Sequence, residues 1–383
     1  MKICYIAPKF YGGNIPFFEY TQGLAAYGHQ VHVLVPGREG EADLERVGGV
    51  TVERIAADHS ARQQDFRFSF LHFLYSAHCA LARHPDWDII TVRNLPGVSL
   101  LPRFHRKQRT AKWVLEIMSP PLHANWRTIV SNYRIRFEAR SFAEVLVHAQ
   151  AVGEDIFGGR NGRFVELPIG VDFDHFCPGK NPDLRQALEI LPDEILFIYT
   201  GSIMPIRQLD KLLHGFSLAQ RAEKNLHLLF VGTGLAMAQL KELATTLDVD
   251  SRVHFAGLVA YEEIPGYMHA ADIGLGYVPM VTSFDKAPVL KTMESLASGL
   301  PTIATATLGN QLYIKDGVNG LLVQDTPEAL AQAMCKLATN ATLRSQFENG
   351  REFIDAYQWQ RIVGDVLNPT YERLIADGRQ QPP

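Results

Sequence analysis

Residues 278–304 read VPMVTSFDKAPVLKTMESLASGLPTIA. The stretch runs from the end of an apolar strand through a long polar loop into a helix, and a Gly-Leu-Pro turn leads into the strand Thr302–Ala304. A strand, a helix and a second strand in this order predict parallel pairing, because parallel strands need a long crossover connection. The segment therefore indicates one unit of a doubly wound α/β sheet.

The same alternation of strand-like and helix-like segments extends over the whole chain. In the first half, strands are predicted at Lys2–Ala7, Gln30–Val35, Thr51–Ile55, Ile89–Val92, Trp113–Ile117, Val145–His148 and Phe164–Leu167. In the second half, strands are predicted at Ile195–Thr200, His227–Val231, Val253–Ala256, Ile273–Val278, Thr302–Ala304 and Gly320–Val323. Helical segments lie between most of these strands, so we predict two parallel sheets.

The two halves meet at Pro168–Pro178, whose prolines, glycines and aspartates are typical of a linker. We therefore predict two doubly wound, Rossmann-like α/β domains, 1–175 and 176–358, and a helical segment, 359–383, that returns to the first domain. Ligands of such sheets bind at the carboxyl ends of the strands. We expect the site to lie in a cleft between two facing domains.

Composition limits the classes of function. The chain has 383 residues, 41 acidic and 37 basic side chains, a formal net charge of -4 and 46% hydrophobic residues. Length and hydrophobic fraction suit two domains of ordinary size. The near balance of charge excludes binding to nucleic acid through charge alone. The four cysteines are far apart and form no C-x-x-C pair, which predicts neither a disulfide framework nor a zinc site.

The sequence predicts no signal peptide and no membrane span. Met1-Lys2 leads directly into a short strand. The longest apolar run, Phe68–Leu81, contains polar side chains and is shorter than the roughly 20 residues that a membrane helix needs. We expect a buried or amphipathic helix there, a cytoplasmic protein, and at most a peripheral contact with the inner face of the cell membrane.

The first candidate loop is PKFYGGN, Pro8–Asn14, between the first strand and the first helix. Gly12 and Gly13 allow close approach of a ligand and leave N–H groups free at the helix start, which favours anions. The loop is not a G-x-G-x-x-G or Walker sequence. On its own the Gly-Gly turn is weak evidence for a ligand site, because most such turns are only turns.

The second candidate loop begins TGSIMPIRQLDKLL, after the first strand of the second half. It places Gly201 and Ser202 at the strand end and Arg207 before the next helix. A guanidinium group in this position can donate two hydrogen bonds to a phosphate. A surface arginine near a helix start is the alternative interpretation.

Residues 278–304 contain the third candidate site. Glu294 lies inside its helix, and Lys286 and Lys291 flank it. A carboxylate beside a nucleotide pocket can accept hydrogen bonds from both hydroxyls of a ribose, and the lysines can neutralise a pyrophosphate. The alternative is a helix with exposed charges, which the order of the surrounding pieces argues against.

This ordered set of pieces resembles glycosyltransferase family 4, whose members have the GT-B fold of two facing Rossmann-like domains. MKICYIAPKFYGGN and GLAAYGHQVHVLVPG resemble the family's amino-terminal strand, glycine loop and G-H-x-V-x-V strand. LPIGVDFDHFCP resembles its interdomain P-N-G-V-D-x-x-x-F-x-P, with Ile169 in place of Asn. FVGTG, SRVHFAGLVAYEEIPGYMHAADIGLGYVP and MESLASGLPTIAT match its later patterns, so the resemblance covers most of the chain.

The resemblance implies transfer of a sugar from a nucleotide-sugar donor, with retention of configuration and without a metal or other cofactor. The acceptor would be a glycan, a lipid-linked molecule or a small molecule. Glu294 would bind the donor ribose, and Arg207 and Lys291 would stabilise the departing diphosphate. The further donor-binding residues implied are Gly12, Gly13, Gly201, Ser202, Leu258, Val259, Ser283, Phe284, Asp285 and Lys286. The acceptor-side residues implied are Asn14, Glu116 and Met118.

Three positions depart from the family pattern. Lys286 stands where the family has the first Glu of E-x7-E, Ser202 where it has an Arg, and Met118 where it has an acceptor-side His. A subgroup with P-x-K-x-x-E is similar to Pro288, Lys291 and Glu294, with Pro288 one residue out of step. The departures leave two alternatives open: a non-catalytic GT-B subunit that binds a nucleotide or a partner, and a GT-B sugar-nucleotide epimerase or hydrolase. A dinucleotide oxidoreductase is disfavoured because the glycine fingerprint after strand one is missing.

A basic stretch lies in the first half of the chain, at Arg103, Arg106, Lys107, Arg109 and Lys112. Such a stretch can meet anionic lipid headgroups or a phosphate-bearing acceptor. A solvated helix–loop surface is the alternative.

Overall fold

The computed structural model describes residues 1–9, 11, 15–37, 40–57, 66–84, 86–105, 111–118, 126–158 and 164–379. Three predicted site residues, Gly12, Gly13 and Asn14, lie outside the described residues. The same holds for three members of the basic stretch, Arg106, Lys107 and Arg109.

The chain divides into two compact units. Unit 1 comprises Met1–Ile169 and Trp359–Pro383, and unit 2 comprises Gly170–Gln358. The division after residue 169 lies a few residues before the sequence-based boundary at 175. The carboxyl-terminal segment groups with unit 1.

Unit 1 contains an eight-stranded sheet in the order β3-β4-β2-β1-β5-β6-β7-β8. The strands are β1 Lys2–Ile6, β2 Gln30–Gly37, β3 Leu44–Val47, β4 Val50–Ala57, β5 Ile89–Arg93, β6 Lys112–Ile117, β7 Glu144–Val147 and β8 Val165–Glu166. The helices between them are α1 Ile15–Ala26, α2 Phe66–Arg83, α3 Leu100–Phe104, α4 Trp126–Ala139 and α5 Gln150–Phe157. Neighbouring strands are parallel except β3 and β4, which form an antiparallel hairpin at the edge.

The edge strand β3 is missing from the sequence-based prediction. Its sequence, LERV, has two charged residues in four, and it turns into β4 through Gly48, whose φ is +58°. A short charged strand gives no periodic apolar signal, and charged edge strands resist pairing with other chains. The other predicted strands of unit 1 are present, with ends that differ by one to two residues.

Unit 2 contains a six-stranded, all-parallel sheet in the order β11-β10-β9-β12-β13-β14. Its strands are β9 Ile195–Thr200, β10 Leu226–Val231, β11 Val253–Gly257, β12 Ile273–Gly276, β13 Thr302–Thr305 and β14 Leu321–Val323. Its helices are α6 Pro182–Ala187, α7 Leu209–Ala222, α8 Met237–Thr246, α9 Ile264–Met268, α10 Thr282–Asp285, α11 Leu290–Ala297, α12 Leu308–Gln311, α13 Pro327–Thr339 and α14 Ala341–Phe347. The strand–helix–strand order predicted for this half is confirmed.

The chain returns to unit 1 through α15 Trp359–Ile362, a π-helical turn at Val363–Leu367 and α16 Asn368–Arg379. The Trp359 ring meets the Tyr20 ring edge-on, with centroids 5.4 Å apart. A Cβ on Gly23 would lie 2.7 Å from Val363 Cγ2, so glycine permits this close packing of α1. These contacts fix the carboxyl-terminal helices against α1 of unit 1.

Helix α2 covers the apolar run in which the sequence predicted a buried or amphipathic helix. Phe73, Ala77 and Leu81 are buried, whereas Leu71 and Tyr75 are exposed, which is the pattern of an amphipathic helix. Within the described part of the chain, no helix combines the length and the apolar character needed to cross a bilayer.

Candidate active site

The candidate site of unit 2 is built at the carboxyl ends of β9 and β10. The Gly201 N–H donates to the Val231 carbonyl at 2.9 Å, so the two loops run side by side. Gly201 and Gly232 have φ values of +136° and +144°. A Cβ on Gly232 would lie 1.9 Å from the Gly201 carbonyl oxygen, so only glycine fits between the loops. The local backbone thus requires both glycines of the T-G-S and V-G-T sequences.

Arg207 ends a 3₁₀ turn, Pro205–Arg207, directly before α7. Its Cζ lies 4.6 Å from the centroid of the Phe284 ring, which belongs to α10. Its Nε donates to Ser202 Oγ at 3.4 Å. The guanidinium group is therefore held by one ring face of α10 and by one hydroxyl of its own segment, an arrangement that suits recognition of phosphate.

Lys291 lies in the first turn of α11, and part of its side chain remains accessible. Its Nζ is 3.7 Å from the centroid of the Tyr199 ring and donates to the Tyr277 carbonyl at 3.4 Å. A Cβ placed on Gly201 would lie 3.2 Å from this Nζ, so the ammonium group lies directly beside the Gly201 backbone. Burial of the ammonium group holds the pKa of Lys291 well below its usual value, and the Arg207 charge lowers this pKa further.

Glu294 lies one turn further along α11 and is 4% exposed. Burial raises the pKa of its carboxyl to about 7, and the opposing effects of the Tyr261 hydroxyl and of Lys291 are smaller. The Tyr261 hydroxyl donates to Glu294 Oε1 at 3.4 Å. A buried carboxyl with a pKa near neutrality, coupled to the buried Lys291, marks a candidate functional site.

The three side chains form one electrostatic unit. Arg207 lowers the pKa of Lys291 and Glu294 raises it, and Lys291 in turn lowers the pKa of Glu294. An anion beside Arg207 and Lys291 would relieve their mutual repulsion and favour the charged lysine. The arrangement can therefore hold a diphosphate at its cationic end and a hydroxyl-bearing group at Glu294.

Two hydrogen-bond networks support these elements. The Tyr277 hydroxyl lies 2.8 Å from Asp325 Oδ1, and Asp325 Oδ2 accepts from Lys211 Nζ at 2.9 Å and from the Met280 N–H at 3.0 Å. This network joins the loop after β12 to the start of α7.

The second network centres on Asn310 of α12. Thr292 Oγ1 donates to Asn310 Oδ1 at 2.7 Å, and Asn310 Nδ2 donates to the Gly276 and Thr305 carbonyls at 3.0 and 2.8 Å. All of these atoms are buried, so α11 is fixed against β12 and β13. Because Glu294 and Lys291 belong to α11, this network also sets their positions.

The remaining predicted donor-side residues surround this centre. Phe284 and Asp285 belong to α10, and Asp285 Oδ1 accepts from the Leu308 N–H at 3.2 Å. Lys286 follows α10 and is half-buried. Ser283 also lies in α10, but its side chain is outside the described residues. Leu258, which is exposed, and Val259 follow β11 after Gly257, whose carbonyl accepts from the Gly232 N–H at 2.8 Å.

The acceptor-side prediction Glu116 lies in β6 of unit 1 and is fully buried. Arg93 donates to both carboxylate oxygens, at 3.0 and 3.1 Å, and His148 Nε2 lies 2.8 Å from Oε1. The Tyr5 hydroxyl donates to Oε2. Burial opposes ionisation, but Arg93 and His148 outweigh it and hold the pKa of Glu116 at about 2.

Glu116 therefore sits at the centre of a buried ion pair whose oxygens are already occupied. Arg93, 3% exposed, ends β5, and His148 directly follows β7, so the network spans the carboxyl ends of three strands. Met118 follows β6 and is half-buried. The network itself was missed, although each member is a polar residue at the end of an apolar strand.

The segment that contains Arg207, Lys291 and Glu294 resembles a known protein family. Residues 194–340 match the model of the family described as glycosyl transferases group 1. A D-inositol 3-phosphate glycosyltransferase from Geodermatophilus obscurus is 29% identical over 224 residues, which is 56% of this chain and 48% of that protein. The chain spans about half the length of the curated relatives it matches first.

A longer match covers most of both chains. A GDP-mannose-dependent alpha-(1-6)-phosphatidylinositol dimannoside mannosyltransferase from Mycobacterium tuberculosis is 24% identical over 364 residues, 89% of this chain and 87% of that protein. The matched family and both of these relatives are described as glycosyltransferases.

Solved structures settle the fold. A sucrose-phosphate synthase from Thermosynechococcus elongatus superposes with a TM-score of 0.79 at 21% identity, over 98% of this chain and 100% of that chain. WaaG, a glycosyltransferase involved in lipopolysaccharide biosynthesis, superposes with a TM-score of 0.70 at 19% identity, over 96% and 99% of the two chains. The chain has the GT-B fold. The predicted fold class, α/β with two Rossmann-like domains, is confirmed.

Within the GT-B chain, the structure brings together Arg207, Lys291, Gly201, Ser202 and Phe284 through the contacts given above. Sequence reasoning missed Tyr199 below Lys291 and Tyr261 beside Glu294. No local pattern pointed to them, because both act through contacts between distant segments.

In the described part of the chain, no group of three or more His, Cys, Asp or Glu side chains is arranged to hold a metal ion. The expectation that the protein uses neither a metal nor another cofactor stays a prediction.

Proposed function

We propose that this protein is a retaining glycosyltransferase of family 4 that uses a nucleotide-sugar donor. The observation that carries the proposal is the cluster of Arg207, Lys291 and Glu294 at the carboxyl edge of the unit 2 sheet. It lies within the segment, residues 194–340, that matches the glycosyl transferases group 1 model. Ligands of parallel α/β sheets bind at this edge.

In this proposal the donor lies with its ribose at Glu294 and its diphosphate at Arg207 and Lys291. Ionised Glu294 accepts hydrogen bonds from ribose hydroxyls, which replace the water lost on burial of the carboxylate. Arg207 donates from its planar fork to the phosphate oxygens. The Ser202 N–H adds a donor next to Gly201, whose own N–H already donates to the Val231 carbonyl. Gly12 and Gly13 would contribute further backbone contacts, and Leu258 and Val259 would hold the base through their backbone groups.

The reaction follows from where charge develops. The bond between the anomeric carbon and the phosphate oxygen breaks, and the leaving diphosphate takes the electron pair. A bond forms between the same carbon and the acceptor hydroxyl oxygen, on the face that the phosphate leaves. The acceptor proton passes to an oxygen of the departing phosphate, so that no separate base is required. Arg207 and Lys291 stabilise the charge that accumulates on the diphosphate.

The low pKa of Lys291 means that its charge state changes when the donor binds. In the free protein, burial and Arg207 disfavour the charged lysine. Negative charge on the diphosphate reverses this effect, so the lysine takes up a proton when the donor binds and is a cation when the bond breaks. Lys286, in place of a glutamate, would face the donor sugar and set a different sugar preference.

The acceptor is proposed to be a glycan, a lipid-linked molecule or a small molecule, with Asn14, Glu116 and Met118 on its side of the site. The mannosyltransferase relative acts, by its name, on a phosphatidylinositol dimannoside. We propose a cytoplasmic enzyme that contacts the inner face of the membrane peripherally. Arg103 and Lys112 are the described members of the basic stretch that motivated this expectation. The non-catalytic and epimerase alternatives are not favoured, because the relatives named above are glycosyltransferases.

The proposal is tested first on donor binding, which needs no knowledge of the acceptor. The thermal unfolding midpoint is measured with UDP-glucose, GDP-mannose, ADP-glucose and dTDP-glucose in turn, because a bound ligand raises apparent stability by mass action. At least one of these should raise the midpoint of the wild type and fail to do so in Glu294→Ala. The matched control is Glu328→Ala, an exposed glutamate in the first turn of α13. A Glu294→Ala protein that responds like the control contradicts the proposed site.

A further inference from the structure

A cavity of about 600 Å³ opens on unit 1 at the edge of its sheet where the strands begin. Lys2 and Gln30, the first residues of β1 and β2, line it together with Thr51 near the start of β4 and Trp87 just before β5. Sites for small molecules usually measure about 300 to 1,000 Å³. This amino-edge cavity therefore has the size of a ligand site, and it lies at the opposite sheet edge from the strand ends that carry the Glu116 network.

Positive charge predominates on the wall of the amino-edge cavity. Of the described residues that line it, Lys2, Arg46 and Arg83 are permanent cations and Asp86 alone is acidic. Arg83 ends α2, where a cation complements the helix end, and it pairs with Glu53. The exposed Lys2 and Arg46 side chains have no acidic partner in the described part of the chain. These two charges are available to an anion.

Three aromatic rings belong to the same wall. The centroids of the His32, His84 and Trp87 rings lie 5.6 to 6.2 Å apart. Trp87 is 8% exposed, and its indole N–H has no acceptor among the described residues. A buried donor without an acceptor is destabilising, so an acceptor brought by a ligand is favoured at this wall.

The lining indicates the chemical class of the ligand. Two cations and an unpaired N–H favour phosphate oxygens, which can accept hydrogen bonds from all three groups. The amide of Gln30, the hydroxyl of Thr51 and the exposed His84 ring suit the hydroxyl groups of a sugar. A metal ion is a poorer ligand, because His32 Nε2 already lies 2.8 Å from Glu53 Oε2. A small organic phosphate therefore fits the cavity best.

We propose that the amino-edge cavity binds a phosphate monoester of the size of a sugar phosphate, with its phosphate at Lys2 and Arg46. Such a group carries about two negative charges near neutral pH, which match the two unpaired cations. This inference does not depend on glycosyl transfer, because Arg207, Lys291 and Glu294 belong to unit 2 and the cavity belongs to unit 1.

The test removes the two unpaired charges of the cavity. The full chain is titrated calorimetrically with glucose 6-phosphate, with inorganic phosphate and with glucose, as the wild type and as Lys2→Gln/Arg46→Gln. The matched control is Arg221→Gln/Lys224→Gln, which removes the same two charges from exposed positions at and just after the end of α7 in unit 2. All four positions are exposed, so thermal unfolding midpoints should stay nearly unchanged.

We expect the wild type and the control to bind glucose 6-phosphate equally, to bind inorganic phosphate more weakly and not to bind glucose. Lys2→Gln/Arg46→Gln should bind glucose 6-phosphate at least about tenfold more weakly, since two charge-assisted hydrogen bonds account for that factor. Equal affinity of this variant and the control would overturn the proposal. A wild type that does not bind glucose 6-phosphate, or binds inorganic phosphate as tightly, would overturn it as well.

Two single variants locate the bound phosphate. Arg207→Met removes a cation of the unit 2 site, and its affinity for glucose 6-phosphate should equal that of the wild type. A tenfold loss in Arg207→Met would place the ligand in unit 2 and contradict the inference. Glucose 6-phosphate should also change the tryptophan fluorescence of the wild type, and Trp87→Phe should lose this change. A change of the same size in Trp87→Phe would show that the ligand binds away from this wall.

Discussion

Donor affinity should fall as pH is lowered through neutrality, because Glu294 must lose its proton to accept hydrogen bonds from the ribose. Burial raises the pKa of this carboxyl to about 7. Below that pH the free protein holds the protonated form, which has lost acceptor capacity, and binding must first remove the proton. For Glu294 the sign is therefore fixed: ionisation of this carboxyl on binding releases a proton, and this contribution is favoured by raising the pH.

The magnitude follows from linkage. With a pKa of about 7 in the free protein and a protonated form that does not bind, affinity should fall by about tenfold between pH 8 and pH 6. At pH 7 the Glu294 carboxyl alone should release about half a proton per donor bound, and proton uptake by Lys291 is subtracted from this count. Lys291 contributes with the opposite sign, because its low pKa makes it neutral as pH rises. The full profile should therefore be bell-shaped, with Glu294 setting the acid limb.

The assay is isothermal titration with whichever of UDP-glucose, GDP-mannose, ADP-glucose and dTDP-glucose binds most tightly. These sugar nucleotides carry phosphodiesters, which do not titrate near neutral pH, so the acid limb reports the protein. Titrations in two buffers of different ionisation enthalpy count the protons. Glu294→Gln should bind more weakly and lose the acid limb. Tyr261→Phe should shift that limb to higher pH, because the Tyr261 hydroxyl lowers the pKa of Glu294. An acid limb that persists unchanged in Glu294→Gln would refute the reasoning.

Three further predictions concern the parts that surround this carboxyl. Arg207→Met should weaken nucleotide-sugar binding by roughly 10- to 100-fold in the same titrations, the value of one or two charge-assisted hydrogen bonds, whereas Arg207→Lys should lose less; equal affinity of all three proteins would exclude a phosphate contact. Gly232→Ala should lower stability in urea unfolding by at least about 2 kcal/mol, because its Cβ would meet the Gly201 carbonyl oxygen at 1.9 Å, while Gly317→Ala, with φ +71° and open space, should lose only about 1 kcal/mol. The pKa of Glu116 is lowered to about 2, so its carboxylate stabilises the fold above pH 4.5 by roughly 3 kcal/mol, and this contribution is lost as pH falls towards 2. In urea unfolding, Glu116→Gln should be less stable than the wild type at neutral pH and should lack that pH dependence, whereas unchanged stability would show that the buried ion pair contributes nothing.

The order of strands and helices was predictable because parallel α/β units produce a strong periodic pattern of apolar residues in the sequence. In unit 2, helices such as α7 and α13 carry one apolar face, and short apolar strands separate them. The edge strand β3 has no such apolar pattern, since half of its four residues are charged.

Part of the candidate site was predictable for the same reason. Gly201, Arg207 and Glu294 follow or lie near the carboxyl ends of parallel strands, and those ends meet at one edge of a sheet. The environment that sets their chemistry was not predictable. Tyr199 under Lys291 and the burial of Glu294 depend on how α11 packs on the sheet, which no local spacing encodes.

Helix α4 shows the opposite limit. Ile129, Tyr133 and Phe137 are visible in the sequence as a helical stripe, but a stripe of this kind is normally the core face. Only the structure shows that Ile135 occupies the interior and that the stripe faces outward.

The central claim is that a nucleotide sugar binds at Arg207, Lys291 and Glu294 and gives up its sugar there. The most direct measurement is a single crystal structure of the full chain soaked with the tightest-binding of the four sugar nucleotides. The account predicts ribose hydroxyls within hydrogen-bond distance of both Glu294 carboxylate oxygens, and phosphate oxygens on Arg207 and Lys291. A nucleotide bound elsewhere in the chain would contradict the account, as would a Glu294 carboxylate that accepts a hydrogen bond from Tyr261 and none from the ribose.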